Sequence, residues 1–184
     1  MGGQKNLKPL DENWERALAV VAHPDDLEYG AASAVARWTS QGKQINYLMV
    51  SRGEAGIDSM PPEETGPLRE EEEMVSARLV GVETVEFLDY HDGVIEYGLP
   101  LRRDIARVIR RHRPNVLVTL NFQLTWGGPE LNMADHRSDP AKGSQEKYGT
   151  RCNDLSCQGA ERRKRRGFRK IFWQHIRRSG YGPV

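Results

Sequence analysis

Apolar runs of strand length recur along this chain between segments with helical spacing, and a polar loop follows each run. ALAVVA (17–22), INYLMV (45–50), the alternating VETVEFLDY (82–90) and VLVTL (116–120) are the strand candidates. Between them, Ala34, Val35 and Trp38 share one face of a helix over about 29–41, and Gly42 suits the left-handed position that ends it. Leu68, Val75 and Leu79 mark a second helix, stopped by Gly81. Leu101, Ile105, Val108 and Ile109 form the buried stripe of a third, with Pro100 near its start and Pro114 beyond its end. Arg102, Arg103, Arg107, Arg110 and Arg111 fall on its water-facing side. Strands alternating with helices predict an α/β domain whose sheet is mainly parallel.

At 184 residues the chain suits one domain. Its longest apolar run, 17–22, is far too short to span a membrane. The first ten residues, MGGQKNLKPL, have no apolar stretch of a secretory signal, and Asn6 breaks the myristoylation pattern. Two cysteines, Cys152 and Cys157, are too few for a disulfide framework and read as free thiols. The expectation is a cytoplasmic protein.

Four polar loops follow the four strands, the last three with glycine: HPDD (23–26), SRGEAG (51–56), DYHDG (89–93) and NFQLTWGG (121–128). In open α/β sheets, ligands bind outside the carboxyl ends of the strands. His23 and Asp26 flank a Pro24 turn at a strand end, and an imidazole with a carboxylate there can bind one divalent metal. The alternative is that Asp25 and Asp26 cap the following helix. Catalytic zinc usually takes a third protein ligand. His91 and His136 both lie in rim loops, whereas His112 ends a helix and His175 lies near the C-terminus; His136, preceded by Asp135, is the better candidate. Asp25, left uncoordinated beside the metal, is placed to act as general base. The Glu70–Glu73 run reads as a solvated first helical turn. Arg52 and Glu54 can meet substrate or belong to a plain Gly turn, and His91 is either in the site or structural. Trp126 with its two glycines walls a sugar pocket or packs its own loop. The architecture expected is Rossmann-like and three-layered, with its C-terminal part incomplete.

AHPDDLEYG (22–30), SRGEAG (51–56), FLDYHDG (87–93) and WGGPELNMADHR (126–137) resemble the LmbE-like, or PIG-L, zinc-dependent N-deacetylases. The resemblance covers about residues 16–137. It implies that His23, Asp26 and His136 bind Zn2+ or another divalent metal and that Asp25 is the catalytic base. It also implies that Arg69 and Asp92 bind substrate, while Asp135 either orients His136 as a supporting partner or caps a short helix. The implied reaction is removal of an acetyl group from a small N-acetylated sugar conjugate: water deprotonated by Asp25 attacks the amide carbonyl, and Asp25 returns the proton to the leaving amine. One position departs from the pattern. The family commonly has a histidine three residues before its last ligand, and here that residue is Met133, whose thioether cannot donate a hydrogen bond. Loss of one oxyanion donor typically costs about 10²–10³ in turnover.

Charge divides the chain unevenly. Residues 1–138 hold 15 Lys+Arg against 22 Asp+Glu, and residues 139–184 hold 12 against 4. The first segment reads as the deacetylase domain and the second as a divergent basic tail. In ERRKRRGFRKIFWQHIRR (161–178), Phe168, Ile171, Phe172 and Ile176 can share one helical face. Such a helix can bind nucleic acid or an anionic surface, or dock on the acidic body. The reading preferred is an accidental end, frameshifted or truncated, irregular except for that helix. Nucleic acid is not expected as a partner. The competing reading is a non-catalytic protein with a vestigial site, whose tail does bind such a surface.

Overall fold

The computed structural model describes residues 10–126, 128–137 and 169–172. In chain order its elements are β1 (Arg16–Val21), α1 (Asp26–Gly30), α2 (Ala32–Ser40), β2 (Gln44–Met49), α3 (Pro62–Leu79), β3 (Thr84–Phe87), α4 (Leu99–His112), β4 (Val116–Thr119), α5 (Ala134–Arg137) and β5 (Arg169–Phe172). The strands form one sheet in the order β3-β2-β1-β4-β5, and every pairing is parallel.

Strand side chains alternate between faces, and β1 shows why the fold has three layers. Ala17, Ala19 and Val21 join Tyr47 and Met49 of β2 and Val116 and Val118 of β4 in a core closed by Leu27 of α1, Val35 and Trp38 of α2, and Ala77 of α3. Leu18, Val20 and Ala22 point the other way, to Leu48, Val50 and the Leu101, Ile105 and Val108 stripe of α4. A Val or Leu side chain buried this fully contributes about 1.5–3 kcal/mol, so β1 is clamped on both faces and along both edges. The chain progresses outward from β1 to β2 to β3, then returns to place β4 on the other side of β1. That reversal lies between β1 and β4, where open α/β sheets form their ligand crevice.

Gly42 (φ 80°) and Gly81 (φ 79°) take the left-handed conformation expected of them, and Pro100 sits in the first turn of α4. Other expectations need correction. The helix expected over 29–41 is two helices, because the Ala31 N–H closes on Leu27 O at 2.7 Å and Ala31 itself leaves helical geometry (φ −138°). Gly30 allows this corner to press on the sheet, since a Cβ there would lie 3.1 Å from Leu120. Leu68, Val75 and Leu79, which mark α3 in the sequence, are exposed, while Thr65, Gly66, Glu73 and Ala77 face inward. The third strand shrinks to four half-buried residues.

The helix expected over 161–178 is contradicted at residues 169–172, which are β5, paired with β4 from Val116↔Arg169 to Thr119↔Phe172. Four residues with one β-branched and one aromatic member suit either period, and the unpaired backbone edge of β4 favours a strand. Cys152, Cys157 and the rest of the basic segment lie outside the described residues. Among the described residues, no helix is long and apolar enough to cross a membrane.

Candidate metal centre

His23, Pro24 and Asp25 follow β1, Asp26 opens α1, and His136 lies in α5 at the far end of the loop after β4. The crevice between β1 and β4 therefore gathers the three expected ligands. Ligand atoms of His23, Asp26 and His136 lie within 4.8 Å of one another, and all three residues are buried.

Asp26 does not cap α1. Its Oδ2 accepts the backbone N–H groups of Ala22 (3.1 Å) and His23 (3.0 Å), which locks the turn, and its Oδ1 lies 3.1 Å from His136 Nε2. Asn132 fixes the other side of that ring. Its amide nitrogen donates to Asn121 O (2.7 Å) and Gln123 O (3.1 Å), so its oxygen faces His136 Nδ1 at 3.0 Å. An amide oxygen only accepts, so Nδ1 carries a hydrogen, and in the neutral ring Nε2 is the nitrogen left to bind a cation.

His23 repeats the pattern. Its Nε2 lies 2.9 Å from Asp92 Oδ1 and 3.0 Å from Asp135 Oδ2, leaving Nδ1 directed at Asp26 Oδ2, 3.8 Å away. Burial works against a charged ring here, yet the hydrogen bonds from Asp92 and Asp135 outweigh it and raise the His23 pKa to about 9. Once the second His23 proton is displaced, one nitrogen from each imidazole converges on one buried carboxylate, and such a set can hold a cation. Two nitrogens and an oxygen at a partly open corner are a donor set that fits a divalent metal. Asp92, Asp135 and His23 also cluster. Those two carboxylates are already spent: Asp135 accepts the N–H groups of Gly93 (2.7 Å) and Ile95 (3.1 Å), and Asp92 Oδ2 accepts that of Ala55 (3.1 Å).

Asp25 has no side-chain cap bond either and stands in the left-handed region, φ 87°. Its Oδ2 meets Arg69 Nη2 at 2.9 Å, and the same nitrogen donates to Pro24 O at 2.6 Å. Burial pushes the Asp25 carboxyl above the usual range; the Arg69 charge opposes that rise and the Asp26 charge adds to it. Gly53 and Gly56 make room for Arg69: a Cβ on Gly53 would stand 2.7 Å from its Nε, and one on Gly56 would collide with its Nη1. An open pocket of about 330 Å³ lies beside Asp25, walled by Pro24, Ile57, Arg69 and Glu72.

The structure brings His23, Asp25, Asp26, Arg69, Asp92, Asp135 and His136 together, with some different contacts. Asp135 reaches His23, whereas His136 is oriented by Asn132. Arg69 touches Asp25, and Asp92 touches His23. His91 is exposed, near Glu54 (3.5 Å). Trp126 stands edge-on to the His136 ring with centroids 5.9 Å apart. The Glu70–Glu73 run is not a solvated first turn, because α3 begins at Pro62 and Glu73 is buried in its inward face. Asn132 is absent from the sequence-based set, although it stands one helical turn before His136.

Fold and site together define a doubly wound α/β protein with a candidate His/Asp metal centre at its topological switch point. The family described as PIG-L: GlcNAc-PI de-N-acetylase matches residues 18–139, and the chain belongs to that family. It is 30% identical over 125 residues to a diacetylchitobiose deacetylase of Thermococcus kodakarensis, covering 67% of this chain and 45% of that protein. Among solved structures, the N,N'-diacetylchitobiose deacetylase from Pyrococcus horikoshii superposes with a TM-score of 0.65 at 25% identity, over 72% of this chain and 49% of that one. GalB, the 4-carboxy-2-hydroxymuconate hydratase of Pseudomonas putida, gives 0.59 at 26% identity, over 72% and 54%. The chain spans about half the length of the curated relatives it matches.

Proposed function

We propose that this chain carries a metal-dependent N-deacetylase site acting on a small N-acetylated sugar conjugate. The observation that carries the reading is the convergence of His23, Asp26 and His136 from two separate loops, with Asp25 half-exposed beside them. His23 Nδ1, His136 Nε2 and Asp26 would hold the metal, and zinc suits such a nitrogen-rich set. A metal held there supplies Lewis acidity toward an amide oxygen and acidifies water.

The protein's own groups supply the rest. Asp25, raised by burial, takes a proton from the attacking water and delivers it to the departing nitrogen. Asp92 and Asp135 keep the hydrogen of His23 on Nε2, and Asn132 keeps that of His136 on Nδ1, so that the opposite nitrogens stay free as donors. Arg69 lines the pocket beside Asp25, where a sugar ring would sit, and Asp92, held against His23, is the second substrate contact in this proposal. Met133 offers no hydrogen-bond donor to an oxyanion, which sets the expected turnover low. Residues 1–138 form the deacetylase unit in this proposal, with 139–184 a divergent extension.

The deciding experiment measures acetate released from a panel of N-acetylglucosaminides by protein stripped of metal and then reloaded with zinc. Zinc-dependent acetate release supports the proposal; a protein that binds zinc and releases none from any member of the panel removes it. The likeness to a hydratase favours a second reading, addition of water to an unsaturated acid at the same site. Loss of substrate ultraviolet absorbance without acetate release would select it. The alternative of a vestigial site with a nucleic-acid-binding tail gains no support from the relatives found.

A further inference from the structure

The mechanism above leaves a buried carboxyl group unused, that of Glu73. Glu73 is 2% exposed in the inward face of α3, and its Oε2 accepts the backbone N–H of Asp25 at 3.3 Å. Asp25 is held with φ 87°, a conformation that residues with a Cβ rarely adopt. Such strain persists only where the surroundings over-determine it. The turn that carries Asp25 is gripped from one helix at positions four residues apart. Arg69 holds Pro24 O and the Asp25 carboxylate, and Glu73 holds the Asp25 N–H.

We infer that Glu73 is a positioning residue for the catalytic base, fixing the strained Asp25 backbone so that its carboxylate faces the metal corner. The inference rests on the deacetylase reading for its kinetic consequence, though not for its structural one. The remaining Glu73 oxygen, Oε1, is buried beside Glu28. Burial and the Glu28 charge push the Glu73 pKa up to about 8, so the two carboxyl groups can share a proton, and Ser76 donates to Glu28 Oε1. A glutamine at 73 can still accept from Asp25 through its carbonyl and can donate its amide to Glu28. An alanine can do neither. The two substitutions therefore separate loss of the acceptor from loss of the titratable proton.

Glu73→Ala and Glu73→Gln are compared with wild type in the full, zinc-loaded chain. Amide hydrogen exchange is read at Asp25 and along β1, together with zinc affinity, kcat and KM. In Glu73→Ala, Asp25 exchange should quicken about tenfold while β1 stays protected, and kcat should fall about 10–100-fold with KM and zinc affinity little changed. Glu73→Gln should restore both protection and kcat. If the alanine variant does not fold, Glu73→Met fills the same volume without an acceptor and should show the same pattern. Unchanged Asp25 protection in the alanine or methionine variant overturns the inference. So does a uniform loosening of β1, or a glutamine variant that rescues nothing. A wild-type protein that releases no acetate would sink the deacetylase reading, while the exchange data would still decide the role of Glu73.

Discussion

Adjacent aspartates at the end of β1 have separate tasks because their surroundings differ. Asp26 is buried, accepts two backbone N–H groups and faces His136; Asp25 is half-exposed and paired with Arg69. Asp26→Asn must keep its oxygen on those N–H groups, so it turns an amide nitrogen toward His136 and removes an anionic ligand. Zinc affinity should drop by two or more orders of magnitude, on the scale seen when a metal site loses support. Asp25→Asn should bind zinc normally and lose its base, with kcat down about 10²–10⁴-fold. Equal loss of zinc in both variants would refute the division of labour. His23 adds a pH dependence. Its pKa is raised from 6.5 to about 9, so the metal-free ring keeps a second proton that a cation must displace. Zinc affinity should rise about tenfold per pH unit between 6.5 and 9. The stability that this charged ring gives the metal-free protein is complete below 6.5 and is lost as pH rises toward 9. Calorimetric titrations across that window test the first statement, and thermal melts of the stripped protein test the second.

At the scale of elements, α3 couples to the site through a side chain that needs missing atoms elsewhere. Arg69 runs over Gly53 and Gly56, and a methyl group on Gly56 would collide with its guanidinium end. Gly56 does not have a positive φ, and the obstructed group is the far end of a flexible side chain. Gly56→Ala should therefore change stability by less than about 1 kcal/mol while swinging Arg69 away from Pro24 and Asp25. Kinetically it should resemble Arg69→Ala, with kcat/KM reduced and zinc binding intact. A Gly56→Ala enzyme with wild-type kinetics would mean that Arg69 does not need its observed path. The same helix shows why its inward face escaped the sequence. Periodicity identified an element here, but the buried positions are Thr65, Gly66, Glu73 and Ala77. Their spacing is helical, yet their chemistry serves a polar turn, while the apolar Leu68, Val75 and Leu79 that mark the helix face outward.

For the whole molecule, the outermost strand ties a distant segment to the centre. β5 pairs only with β4 among the described strands, and β4 leads into the loop that ends at His136. Neighbouring N–H groups in a strand point to opposite sides, so replacing both Lys170 and Ile171 by proline removes at least one bond to β4. That double variant should lose about 1–3 kcal/mol of stability and bind zinc more weakly, as judged by thermal melts and zinc titration. An unaltered melting point would show that β5 adds nothing to the sheet. The acidic body and the basic segment that supplies β5 would then be energetically independent.

Much of this was written in the chain itself. Alternating runs set the α/β class and the parallel sheet, because strand and helix periods are local properties of side-chain order. The rim loops were legible for the same reason: HPDD, GEAG and the Asp135–His136 pair stand directly after strands or in one long loop, and residues at strand ends must share a rim. What only the tertiary structure decided are the contacts across it. That Asp135 serves His23 while Asn132 serves His136, that Arg69 and Glu73 grip the Asp25 turn, and that residues 169–172 join the sheet all depend on through-space neighbours far apart in sequence. A hydrogen bond's partner is chosen by distance and angle in the folded state, and the order of residues along a chain carries neither.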